Sequence, residues 1–98
     1  MADNAFECSD REGIRVVCSR ETWESHIVAE HPEMEGCESC VVAAIQSPFQ
    51  VFQDKAFPSR RIVYRPFILP KPMDQRYLRV VIEYKVRKFR RSLAGYVL

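Results

Sequence analysis

From residue 75 to residue 86 apolar and polar positions alternate. Leu78, Val80, Ile82, Tyr84 and Val86 fall on one side of an extended chain, and Tyr77, Arg79, Val81, Glu83 and Lys85 on the other. A sustained period of two marks a strand with one face on a core, and this segment is the clearest strand in the chain. Shorter strands are expected over residues 14–18, 50–54, 61–67 and 95–98. In the third of these Arg61, Val63 and Arg65 alternate with Ile62 and Tyr64, and Pro66 marks an edge or an early end. Upstream the period is helical. One helix should run from about residue 20 to His31, with Ser19 as its N-cap and Glu21 in its first turn. Pro32 stops it, because the residue before a proline is pushed away from helical geometry. A second helix over residues 36–46 is closed by Pro48, and residues 1–13, polar and unpatterned, read as a flexible arm. Residues 14–98 then form a single α+β domain, two N-terminal helices packed on a four-stranded antiparallel sheet with a short extra strand ahead of them.

Ninety-eight residues supply one core and no independent second module. No apolar run approaches the ~18 residues a membrane span needs, and the first residues lack a signal peptide's basic and apolar segments. A soluble cytoplasmic protein without membrane attachment is expected. The net charge of +2 conceals a dipole: residues 1–54 carry three basic and eleven acidic side chains, residues 55–98 twelve basic and two acidic. Clustered Lys and Arg attract phosphate backbones that the acidic half repels, so a nucleic acid would approach from one side. The plainer reading is two halves that neutralise each other, or a solvated basic face.

Four cysteines in such a chain are thiols or metal ligands before they are disulfides. Cys37 and Cys40 form a C-x-x-C, but with Val41, Ala44 and Ile45 they repeat at helical spacing, which favours core packing over zinc. No metal or other cofactor is expected.

Both histidines sit in the first helix, beside the only tryptophan. On an ideal helix His26 and His31 lie about 140° apart, too far to share a metal as an i, i+4 pair does. Trp23, Ile27 and Glu30 share one stripe between them, so Glu30 falls on the inward face, where a carboxylate needs a basic partner. The alternative is a tilted helix in which Glu30 pairs with His26. His31 lies at the negative end of the helix dipole, a place that suits a general acid or a phosphate contact. Arg61, Arg65 and Arg79, held on strands, suit phosphate binding, and Tyr64, Tyr77 and Tyr96 suit base stacking or packing. Lys85 and the basic connector Arg87, Lys88, Arg90 and Arg91 extend the cationic surface. Such a mixture is what metal-independent RNA cleavage requires: a base for the 2′-hydroxyl, an acid for the leaving oxygen and arginines for the charged phosphorus centre.

The phrase Trp23-x-x-His26-Ile27-x-x-x-His31-Pro32-Glu33-Met34, followed by a helix ending near Pro48, by Ile62-Val63-Tyr64-Arg65, by Tyr77-Leu78-x-Val80-Val81-Ile82 and by Gly95-Tyr96-Val97-Leu98, resembles the phage-associated members of the barnase/EndoU/colicin/RelE-like nuclease superfamily. The resemblance implies two helices on a four-stranded sheet and RNA cut on the sheet face without a metal. It points to His26 and His31, with Glu33, Tyr64 and Arg61 or Arg65, as site residues. It also implies a toxin-like or phage-derived ribonuclease, with RNA as substrate and an antitoxin or immunity protein as partner. Members usually continue the last strand with a small hydroxyl residue and an aromatic, which Gly95-Tyr96-Val97-Leu98 does not include. The alternative is therefore an RNA- or protein-binding module of the same fold without turnover.

Overall fold

A computed structural model describes residues 3–87 and 92–98. Six strands form one mixed sheet: β1 (Asn4–Ser9), β2 (Arg15–Ser19), β3 (Gln50–Gln53), β4 (Arg60–Pro66), β5 (Tyr77–Val86) and β6 (Leu93–Val97), in the spatial order β1-β2-β6-β5-β4-β3. Neighbours are antiparallel except β2 and β6, which run parallel. The fold is α+β as expected, but the sheet has six strands and mixed pairing instead of four antiparallel ones.

The difference arises at the N-terminus, where the expected arm is an edge strand. Phe6 and Cys8 pair with Cys18 and Val16 and turn onto the core, with a bulge at Ala5 that breaks the alternation a sequence reading relies on. The hairpin is closed by Asp10, whose carboxylate accepts from the backbone N–H groups of Glu12 and Ile14 at 2.9 Å each. Gly13 supplies the turn's positive φ of 83°.

The first helix, α1, opens with an α-helical turn, Arg20–Thr22, and continues as a π-wound segment, Trp23–Val28. Ser19 caps it as expected, its hydroxyl accepting from the Thr22 N–H at 3.0 Å. Ser19→Ala should lower stability by about 1 kcal/mol, read as a lower urea midpoint with an unchanged slope. A short 3-10 turn, Pro32–Met34, leads to α2 (Glu38–Gln46), which buries Val41, Ala44 and Ile45. These residues pack with Val16, Trp23, Val63, Leu78, Val80 and Ile82 in one core. The cysteines belong to that core. Cys37 and Cys18 are buried, Cys8 and Cys40 partly so, all four are free thiols, and burial pushes the Cys18 thiol up to about 11.

Register assigns the faces. Arg61, Val63 and Arg65 share the helix-covered face with Ile82, Val80 and Leu78. The opposite face, bearing Ile62, Tyr64, Tyr77, Arg79, Glu83, Lys85 and Tyr96, follows from the same pairing. β6 spans only part of β5, pairing from Ile82 to Val86, with the Leu98 N–H bonding the Val81 carbonyl at 3.0 Å. Among the described residues, Tyr77 to Val80 therefore have no strand on that side.

Tyr84 adds a pH-dependent element. Its hydroxyl donates to Asp10 Oδ2 at 2.9 Å, and its ring lies 4.8 Å from the Arg61 guanidinium. Burial first, and the bond to Asp10 second, push its hydroxyl pKa far above the ordinary 10. The native state holds this proton where the unfolded chain releases it. Its contribution is complete below about pH 10 and is lost as pH rises toward the folded value. Thermal midpoints should fall above pH 10 in the wild type and less steeply in Tyr84→Phe, measured by circular dichroism.

Candidate functional site: a cleft at the free edge of β5

α1 leaves the end of β2, and the free edge of β5 lies across from it. Between them, under the loop carrying Leu69 and Met73, opens a cleft of about 720 Å³. His26, Glu30, His31 and Glu33 line its helical side and Arg76, Tyr77 and Arg79 its strand side. Trp23, Met34, Val41, Leu78 and Val80 make an apolar floor. Among the described residues no strand pairs with Tyr77–Val80 on this side, and the cleft lies there.

His26 and His31 are exposed, and His31 Nδ1 stands 3.5 Å from Glu33 Oε1. The helix ends where expected: His31 leaves helical geometry at φ −132° and ψ 76°, and Pro32 opens the next turn. Glu30, expected on the inward face, is exposed on the cleft rim instead. A π turn takes about one extra residue, which sets the positions beyond it back by roughly 100° relative to an α-helix. That rotation carries Glu30 off the Trp23 stripe. Trp23 stays buried, edge-on to Phe6 at 5.9 Å between ring centres.

Arg61 and Arg65 do not face the histidines. Arg61 pairs with Glu12 at 3.4 Å and lies over Tyr84, while Arg65 donates to the Ser47 carbonyl at the end of α2. Both share the face that α2 and its flanking turns cover, so neighbouring oxygens and a ring take up their donors. Tyr64 is on the opposite face, where Arg79 Nε donates to its hydroxyl at 3.2 Å. Histidines and Tyr64 thus stand on different sides of the sheet, and only Arg79 of the expected strand arginines reaches the cleft. Lys85 lies 6.0 Å from the Tyr96 ring centre, away from the cleft. Arg87 bonds through its backbone to Ser92, and its charge reinforces Arg15 in holding the Glu7 carboxyl below the usual range. Lys88, Arg90 and Arg91 lie outside the described residues.

Arg76 is a site residue that the sequence reading missed. It sits in the turn before β5, inside the 75–86 run but ahead of the positions from Tyr77 onward whose faces the alternation assigns. Cys37 and Cys40 are held within the packing: their thiols donate to the Glu33 and Ile68 carbonyls at 3.7 and 3.3 Å. Among the described residues no three His, Cys, Asp or Glu side chains converge as a metal site, and no helix is long and apolar enough to cross a membrane.

What the cleft can do follows from its inventory. Two imidazoles can donate and accept protons, a carboxylate stands beside one of them, and Arg76 and Arg79 bring positive charge to the strand side, where Arg79 also bonds Tyr64 around the edge. The apolar floor can take the flat face of a base or another apolar group. No protein-family model, no curated protein and no solved structure matches the chain.

Proposed function

We propose that the chain is a ribonuclease that cleaves by attack of a 2′-hydroxyl on the adjacent phosphate, in the manner of the barnase/EndoU/colicin/RelE-like superfamily it resembles. The observation that carries this reading is the convergence of His26, Glu30, His31 and Glu33 with Arg76 and Arg79 on one cleft. His26 takes the 2′-hydroxyl proton, with Glu30 as the other candidate base on the same rim. The freed oxygen bonds to phosphorus while the bond to the 5′-oxygen breaks, giving a 2′,3′-cyclic phosphate. His31, held by Glu33, gives its proton to the leaving 5′-oxygen. Arg76 and Arg79 take the phosphate-binding part first assigned to Arg61 and Arg65, offsetting the charge that builds on the phosphoryl oxygens. An antitoxin or immunity protein would act by covering the cleft.

The test is incubation of the purified protein with bulk tRNA and mRNA in EDTA. Products ending in 2′,3′-cyclic phosphate are expected. Salt-sensitive RNA binding without any cleavage would replace this reading with the non-catalytic binding module.

A further inference from the structure

The sheet face opposite the helices carries an aromatic surface that the core does not use. Phe52 of β3, Tyr64 of β4 and Tyr77 of β5 stand side by side, with ring centres 5.7 Å apart from Phe52 to Tyr64 and 6.4 Å from Tyr64 to Tyr77. Phe52 is 49% exposed and Tyr77 55%, so about half of each side chain meets solvent. Their edge-to-face contacts hold the rings without covering them. Arg79 fixes Tyr64 through its hydroxyl, and Gln50 and Lys55 rim the same dish. Asp54, the one acid at the rim among the described residues, has Oδ1 taken by the backbone N–H groups of Ala56 and Phe57.

A row of exposed rings flanked by amides and cations matches unpaired nucleic acid better than it matches protein. Every base offers a π face to stack, and a duplex hides those faces. Continuity with the cleft is the second observation. Tyr77 lines both surfaces, and Arg79 borders the cleft while bonding to Tyr64. One strand of RNA held in the cleft would therefore meet the rings through Tyr77 and Arg79.

We infer that Phe52, Tyr64 and Tyr77 form a stacking platform for single-stranded RNA, which binds the nucleotides flanking the scissile bond. The inference rests on the ribonuclease reading for the identity of the ligand, and it restricts the substrate to unpaired segments.

The experiment separates binding from cleavage. A short fluorescein-labelled 2′-O-methyl oligoadenylate lacks the attacking hydroxyl, so its anisotropy reads affinity whether or not the protein cleaves. Wild type should bind it and prefer it to the same strand annealed to its complement. Phe52→Ala and Tyr77→Ala should each weaken binding about tenfold. Phe57→Ala, which removes an equally exposed ring stacked on Arg60 outside the dish, should leave binding unchanged. Thermal midpoints of all three variants show whether the fold is intact, and a double Phe52→Leu, Tyr77→Leu variant repeats the test with apolar bulk retained. Undetectable wild-type binding, equal affinity for the duplex, or unchanged affinity in the aromatic variants would overturn the platform. So would a wild-type dimer in light scattering that the same variants dissolve, which would assign the face to a second copy. Failure of the ribonuclease reading looks different: the oligoadenylate binds and depends on the rings, while unmodified RNA stays whole.

Discussion

Replacing His26 and His31 together with alanine is expected to reduce RNA cleavage by about 10²–10⁴-fold, the range that positioned acid–base groups contribute. The two single variants should each lose most of that rate, because a cleavage with one proton-transfer partner missing has little left for the second to lose. Both side chains are exposed on the cleft rim, so neither substitution creates a cavity, and thermal midpoints should stay within a degree or two of wild type. Glu33→Gln should act through His31 alone. It removes the carboxylate 3.5 Å from Nδ1 and should lower the cleavage rate in the wild type but cost nothing further in a His31→Ala background. Arg61→Ala, outside the cleft, should leave the rate unchanged. Undiminished cleavage by the double histidine variant would exclude the cleft as the active site even if the protein is a nuclease.

Gly95→Val is expected to be strongly destabilising, because it overpacks the core. Gly95 pairs with Tyr84 on β5 and with Val16 on β2, in the interior of the sheet. A Cβ built there would sit 2.9 Å from Ile82 Cγ2, 3.0 Å from Val16 Cγ2 and 3.1 Å from Tyr84 Cε1. Ile82 and Val16 are fully buried and β-branched, so neither has a rotamer that yields. Overpacking of this kind costs about 1–3 kcal/mol, more than the ~0.5–1 kcal/mol that removing a strand glycine returns. Alanine should therefore be destabilising and valine more so, with a lower urea midpoint and an unchanged slope. Combining Gly95→Ala with Ile82→Ala should cost less than the two changes summed, since the second removes the methyl the first strikes. An increase in stability on Gly95→Ala would show that the three neighbours retreat freely.

The elements that were legible share a short-range cause. β5 announced itself because one residue in two must face the core, and Leu78, Val80 and Ile82 do. Ser19 was readable as a cap because the donor it satisfies lies three residues away, and His31 as a helix end because the proline that ends it is adjacent. β1 was not legible. Its apolar residues Ala5, Phe6 and Cys8 do not alternate cleanly with its polar ones, and Phe6 and Cys8 look like core only once β2 lies beside them. Glu30 was misplaced for a local reason of another kind, the π winding of α1, which no spacing rule for α-helices anticipates.

The site divides along the same line. By itself the sequence placed both histidines and Glu30 on one helix with Glu33 just past its end, concentrated cations in the second half and made a proline the stop between helix and turn. Those are properties of neighbours in the chain, set by dihedral preference and side-chain chemistry. Which arginines meet the histidines was decided by tertiary structure alone. Arg61, Arg65, Arg76 and Arg79 look alike along the chain, but the helix-covered face uses the first two, while the last two line the cleft across from α1. Pairing between strands far apart in sequence carries that information, and a single strand's alternation gives two faces without saying what covers either.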